Sequence, residues 1–175
     1  MDSGALSNDG DSFLYFGFAS NLLRARIHIG TPTAELVGPA KLEGYRLCFQ
    51  VYPGWSVKES LWNGAPASII DSPQGHVWGA VWRLQKSDLA NLDPPESSYK
   101  AFDVTVTSPE GMEYVCRTYQ MMNGQEEELP SPYYMKVITE GAVESGLPET
   151  YVEFLRSIKH NEQTNPPDIM NEIFK

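Results

Sequence analysis

The sequence predicts an α+β domain: a small mixed β-barrel or strongly curved sheet, with helices packed on its outside. Three observations carry this. Five or six short strand-like segments precede residue 122, helical periodicity is concentrated beyond residue 130, and the strands do not alternate with helices as a doubly wound sheet requires. Glycines inside strand-like runs add the bends that a curved or closed sheet needs.

Each element has its own signal. Residues 1–11 are polar and read as a disordered tail, 12–160 as one domain, and 161–175 as a tail able to add a short helix over Asp168–Phe174. The first strand, Phe13 to Phe18, is dense in aromatic residues that suit a pleated, half-buried surface. It passes through Gly17 and Ala19 into Ser20-Asn21, which read as a helix N-cap before the amphipathic run Leu22 to Ile27. Ala34 to Val51 alternates apolar and polar residues around Gly38-Pro39 and Glu43-Gly44, which predicts one or two strands. Gly54 to Pro66 reads as a long loop, Ala67–Ile70 as a short strand, and Asp71–Gly75 as the turn that stops it. His76 to Leu84 is a strand with Trp78 and Trp82 on one face of the pleat, and Gly79 between them marks a close approach or a bend. A short helix capped by Ser87 runs to Leu92 and stops at Asp93-Pro94-Pro95. Strands near Phe102–Thr107 and Glu113–Met121 flank the Pro109–Gly111 turn as a hairpin, and helices follow over Tyr133–Val143 and Pro148–Lys159.

Composition narrows the function. With 175 residues the chain is long enough for one real core, and 41% hydrophobic content is that of a globular protein. A formal net charge of −10 argues against nucleic acid as a partner, because phosphate contacts need lysine and arginine in excess. No apolar run approaches the roughly 20 residues of a membrane span, and the N-terminus lacks a signal-peptide pattern. Cys48 and Cys116 read as buried reduced thiols, and no Cys/His spacing calls for a metal. These features point to a soluble cytoplasmic protein in which nothing calls for a metal.

Candidate functional residues come from three places. A strand turning tightly into a helix aims backbone N–H groups at one point and so can hold a carboxylate or phosphate. The same spacing also describes an ordinary strand-to-helix turn. Glu96, on a turn stiffened by Pro94 and Pro95, is either a proton shuttle beside apolar strands or a solvated loop glutamate. Asp93 reads as a cap or loop anchor, Tyr133 and Tyr134 as a helix-start core aromatic or a site hydroxyl, and Glu126–Glu128 as a solvated loop.

Taken in order, these segments resemble the γ-glutamylcyclotransferase family. Phe13-Leu-Tyr-Phe-Gly-Phe-Ala-Ser-Asn-Leu22 is similar to its first strand and YGSNL loop, and Val77-Trp-Gly-Ala-Val-Trp-Arg-Leu84 to its VWG-x-VW strand. Trp62–Ile70, the helix before Glu96, Cys116–Tyr119, Pro130-Ser-Pro-Tyr-Tyr134 and Gly146–Tyr151 extend the likeness from about residue 13 to 159. The loop reads Phe18-Ala19-Ser20-Asn21, with alanine in the place of the family's glycine. At positive φ, Ala19 would cost about 1 kcal/mol or more.

The resemblance implies a barrel-like fold and a cofactor-free conversion of γ-glutamyl amino acids to 5-oxoproline and a free amino acid. It implies Glu96 as the general acid and base, and Tyr15, Phe16, Gly17, Phe18, Ala19, Ser20 and Tyr134 as substrate-binding residues. It also implies a small γ-glutamyl molecule as the partner, and it admits a homodimer. The alternative is a catalytically impaired relative that keeps the pocket to bind a small carboxylate or a protein.

Overall fold

Hydrophobic alternation in this chain resolves into a sheet that closes on itself. The computed structural model describes residues 10–51, 54, 60–92, 99–122 and 126–175. Residues 1–9 of the expected disordered tail, part of the expected 54–66 loop, and Glu96 with its flanking prolines lie outside the described residues.

The strands are β1 (Ser12–Gly17), β2 (Glu35–Val51), β3 (Ala67–Gln85), β4 (Tyr99–Thr107), β5 (Glu113–Met121) and β6 (Glu126–Glu127). β1 lies antiparallel to β3 from Ser12↔Gln85 to Gly17↔Ala80, and meets β5 in parallel at Tyr15↔Arg117. β5 pairs antiparallel with β4, β4 meets β2 at Lys41↔Thr107, and β2 runs antiparallel along β3. The circuit β1-β5-β4-β2-β3 therefore returns to β1, and this mixed five-stranded barrel is the predicted architecture. Closure removes the exposed edges of an open sheet. Leu14, Phe16, Val77, Val81 and Trp82 are among the fully buried residues of its core.

Outside the barrel lie a 3-10 turn (Ser20–Leu22), α1 (Arg24–Gly30), a second 3-10 turn (Lys86–Asp88) leading into α2 (Leu89–Leu92), α3 (Pro132–Glu144), α4 (Glu149–Arg156) and α5 (Ile169–Ile173). Ser131 caps α3 by accepting a hydrogen bond from the Tyr134 amide at 3.1 Å. Gly146, at φ +80°, ends it with Leu147 N–H bonded to Ala142 C=O. The β4–β5 hairpin turns at Ser108–Met112 as the Pro109–Gly111 cluster predicts.

Several expectations are corrected. Ala34–Val51 is one continuous strand, bent by register shifts between Leu36 and Gly38 and between Glu43 and Tyr45. Such bulges add twist, which lets a 17-residue strand wrap round a barrel. Asp71–Gly75 does not end a strand. The register passes from Glu43↔His76 to Tyr45↔Asp71, so the turn-forming residues bulge out of β3 while pairing resumes on both sides. Neither Ser20 nor Asn21 caps α1 with its side chain, and Ser87 does not cap α2. Glu126 and Glu127 are not simple loop residues. They pair with Val51 and Gln50, and Glu127 forms an exposed ion pair with Arg46 at 3.1 Å. The short helix expected over Asp168–Phe174 forms as α5, but it is packed into the body of the protein rather than lying in a tail, with Ile169, Met170 and Ile173 buried in the core.

Gly79 resolves as a close approach. A Cβ there would stand 2.6 Å from both the Gly17 carbonyl oxygen and the Phe16 ring, so only glycine lets β1 and its aromatic side chain sit this near β3. Among the described residues, no helix is long and apolar enough to cross a membrane, and no cluster of His, Cys, Asp or Glu could hold a metal ion. Cys48 and Cys116 are free buried thiols, each pushed by burial up to about 12.

Candidate active site

Where β1 leaves the barrel, the chain cannot continue as strand, because Ala19 turns at φ −133°, ψ −119° and the 3-10 turn begins. Leu22 N–H bonds back to Ala19 C=O at 3.0 Å and Leu23 N–H to Ser20 C=O at 3.2 Å. The amides of Ser20 and Asn21, which open the turn, have no acceptor within it. The φ of Ala19 is negative, so alanine bears no left-handed penalty here.

Three contacts hold the turn in place. Trp82 donates its indole N–H to the Asn21 carbonyl at 2.8 Å, Asn21 donates its side-chain amide to the Tyr15 hydroxyl at 3.0 Å, and Ser145 donates its hydroxyl to the Leu22 carbonyl at 2.6 Å. The second contact explains the missing cap, since the Asn21 amide is turned inward to Tyr15.

The turn forms one wall of a cavity of about 220 Å³. Phe18, Ala19, Ser20 and Asn21 line that wall, Tyr15, Tyr134, Tyr119 and Ala67 line the barrel side, and Arg26, Leu92 and Tyr99 complete it. Five of the predicted binding residues (Tyr15, Phe18, Ala19, Ser20 and Tyr134) are thus brought together. Phe16 and Gly17 are not part of the lining. Phe16 has no exposed surface and Gly17 pairs with Ala80, so both belong to the barrel wall.

The tyrosines around the cavity have a defined polarity. A phenol has one proton to give and lone pairs to accept with. Tyr134 accepts from the Ala67 N–H at 3.0 Å, which leaves its proton for another group. Tyr15 accepts from Asn21 and is left in the same state. Tyr99 donates to the Ala67 carbonyl at 3.0 Å, which occupies its proton and leaves its lone pairs. The N–H and C=O of Ala67 therefore orient two tyrosines in opposite senses. Burial raises the pKa of all three phenols above the ordinary value, so each is a neutral hydroxyl near pH 7.

Sequence reasoning missed Tyr99, Asn21 and Arg26. Tyr99 starts β4 and Asn21 read as a cap, so neither carried a sequence signal for the site. Arg26 stands beside the buried Ile27, and an arginine next to a buried position on a short amphipathic helix was the available hint. Its guanidinium carbon lies 5.7 Å from the Trp62 ring centroid, and Trp62 stacks on Tyr134 at 4.7 Å. Leu92 and Tyr99, the described residues nearest Glu96 on either side, both line the cavity.

Comparison with known proteins agrees with this geometry. The pattern of the AIG2-like family matches residues 76–155. A γ-glutamylcyclotransferase of Bos taurus is 45% identical over 160 residues, covering 89% of this chain and 84% of the relative. One from Mus musculus is 40% identical over 177 residues, covering 98% and 93%. The solved structure of a γ-glutamyl cyclotransferase superposes with a TM-score of 0.86 at 40% identity, covering 93% of this chain and 98% of that one.

Proposed function

The chain belongs to the γ-glutamylcyclotransferase family, and we propose that Glu96 moves the proton its reaction requires. The activity is the closure of a γ-glutamyl amino acid to 5-oxoproline with release of the amino acid. The substrate's α-amine attacks its own γ-carbonyl carbon. One C–N bond forms and the amide C–N bond to the departing amino acid breaks; the α-ammonium nitrogen loses two protons in becoming the lactam N–H, and the departing nitrogen gains two in becoming an ammonium. No second reactant is needed, so the protein's task is to hold a bent conformer and to move protons from one nitrogen to the other. Intramolecular attack in a fixed geometry reaches effective molarities of about 10⁵–10⁸ M.

One observation carries the assignment. The titratable side chains among the described lining residues are four tyrosines, of which Tyr15, Tyr99 and Tyr134 have raised pKa values, and a guanidinium. None of these accepts a proton near neutral pH. The base therefore comes from elsewhere, and the segment 93–98 leaves and re-enters the described structure at two cavity residues. Three residues of extended chain reach at most about 11 Å, so Glu96 is tethered close to Tyr99. The family resemblance selects Glu96 over Asp93.

In this reading the amides of the Ser20–Asn21 turn receive the substrate's carboxylate and carbonyl oxygens and steady the tetrahedral oxyanion. Tyr134 and Tyr15 donate to the γ-glutamyl end, and the lone pairs of Tyr99 face its ammonium. A cytoplasmic location, in keeping with free Cys48 and Cys116, and a homodimer belong to the same proposal. The exposed Val143 and Phe154 on α3 and α4 are the apolar side chains that a second copy would cover.

The test is 5-oxoproline release from γ-glutamyl-alanine by wild type, Glu96→Gln and Asp93→Asn. Loss of an acid–base group costs about 10²–10⁴-fold in rate, and that loss is expected for Glu96→Gln alone. Comparable turnover by Glu96→Gln would remove Glu96 from the role, and a selective loss in Asp93→Asn would transfer it.

A further inference from the structure

We infer that Arg26 binds the α-carboxylate of the γ-glutamyl group and so makes that carboxylate a condition of substrate recognition. This rests on the γ-glutamyl reading of the cavity and adds to it a charged residue whose position only the fold reveals.

Arg26 is part of the cavity wall, and its Nε is buried with no hydrogen-bond partner. Among the described residues the guanidinium makes neither a hydrogen bond nor an ion pair, and its packing partner is the face of Trp62. A buried cationic donor left open is costly, and it persists where something supplies the missing acceptor. Guanidinium is the side chain best matched to a carboxylate, through parallel N–H···O bonds and a charge that is not titrated away. Burial draws its pKa down, with Tyr134, Tyr15 and Glu172 opposing, yet it remains a cation near neutrality.

The neighbours decide what kind of group is bound. Tyr134 and Tyr15 each have a hydroxyl proton to give, because each oxygen already accepts from Ala67 N–H or the Asn21 side chain. Arg26 and these two hydroxyls are all donors. They suit an anion and repel an ammonium, whereas Tyr99 presents acceptor lone pairs.

The substrate has two carboxylates, one on the γ-glutamyl head and one on the departing amino acid. Tyr15 and Tyr134 are 7% and 4% exposed, so the donor end is the deep end of the cavity. The constant head must occupy it, while the variable amino acid has to leave. Arg26 therefore meets the α-carboxylate, which the product 5-oxoproline retains.

The experiment uses three substrates and one product with wild type, Arg26→Gln and Arg26→Lys. The substrates are γ-glutamyl-alanine, its analogue with the α-carboxylate amidated, and γ-glutamyl-alaninamide; turnover is read as release of alanine or alaninamide. Binding of 5-oxoproline is measured by calorimetry, which needs no proton transfer and so stands apart from any failure at Glu96. A charge-assisted hydrogen bond corresponds to roughly 10- to 100-fold. Wild type is expected to lose that factor in KM on the α-amidated substrate. Arg26→Gln should lose it on γ-glutamyl-alanine while no longer distinguishing the α-amidated analogue, with 5-oxoproline affinity reduced by the same factor and Arg26→Lys intermediate. The inference is overturned if wild type accepts the α-amidated substrate equally well or does not bind 5-oxoproline. It is also overturned if discrimination in the variants shifts at alaninamide instead, or if a folded Arg26→Gln binds 5-oxoproline normally. Should Arg26→Gln not fold, Arg26→Lys and the wild-type comparison of analogues decide.

Discussion

Replacing Gly141 by alanine should damage catalysis more than stability. A Cβ on Gly141 would lie 2.6 Å from the Leu22 carbonyl carbon and the Leu23 nitrogen, and 2.7 Å from Leu22 Cβ. Non-bonded carbons rest at roughly 3.5–4.0 Å, so α3 and the 3-10 turn must part by about 1 Å. Overpacking of this kind costs about 1–3 kcal/mol, and alanine returns about 1 kcal/mol over glycine within a helix. The net loss is about 0–2 kcal/mol, a fall in Tm of roughly 0–8 °C for a chain of this size. The displaced atoms, however, belong to the peptide that follows Ser20 and Asn21, and Ser145 anchors that same peptide from α3. A misplacement of about 1 Å at a reacting centre costs on the order of 10²-fold in rate. Steady-state turnover of γ-glutamyl-alanine alongside calorimetric melting separates the two effects. A variant with kcat/KM within threefold of wild type and a raised Tm would refute the claim that α3 positions the cavity-lining turn for catalysis.

Three further outcomes follow from the same structure. Tyr134→Phe leaves the buried Ala67 N–H without an acceptor, which costs about 1–3 kcal/mol, and kcat/KM should fall roughly 10- to 100-fold with the lost donor; unchanged kinetics in a folded variant would exclude Tyr134 from the site. The protein should unfold on the alkaline side: the folded-state pKa values of Cys48, Cys116, Tyr99 and Tyr134 are raised, so their stabilisation is intact below the unfolded values and disappears as pH rises past them. With both thiols shifted from 9.0 to about 12, the pair alone removes about 5 kcal/mol by pH ~11, and circular dichroism against pH should show cooperative unfolding between about pH 10 and 12. Deleting residues 160–175 exposes the surfaces now covered by Ile169, Met170 and Ile173, each worth about 1.5–3 kcal/mol; the truncated chain should be unfolded or melt far lower, and a wild-type melting curve would show that α5 is dispensable.

Local pattern disclosed the parts of this fold that are governed locally. The β4–β5 hairpin was legible because alternating apolar residues flank a Pro-Glu-Gly turn, and α4 because Tyr151, Val152 and Leu155 recur at helical spacing and are buried. The bulged stretch Ser72–Gly75 misled, because its residues do turn, but the long pairing with β2 on either side keeps them within one strand. Asn21 misled for a different reason. Capping preference is a local energy of about 1 kcal/mol, and a tertiary hydrogen bond to Tyr15 outweighed it. Glu126 and Glu127 gave no strand signal because their pairing depends on the far end of β2. At the candidate site, Tyr15, Ser20 and Tyr134 followed from motifs, whereas Arg26 and Tyr99 have meaning only through the groups that the barrel places beside them.

The backbone of Ala67 shows why the barrel matters to the chemistry. Tyr99 and Tyr134 lie on different elements, a strand and a helix, and nothing in their residue type distinguishes a donor from an acceptor. The first residue of β3 supplies the distinction. Its N–H and C=O leave the same edge of the strand, as those of any one strand residue do, so of the two tyrosines that meet them one accepts and the other donates. Exchanging those roles would require reversing the order of N–H and C=O along the strand, and Ala67 is held by its register opposite Phe49 in the antiparallel β2–β3 pairing. Backbone direction at one position thus gives two identical side chains complementary polarity. A cavity that must hold an ammonium and a carboxylate of the same small molecule needs that asymmetry, and here it is set by hydrogen bonds that form when the barrel closes, before any substrate arrives.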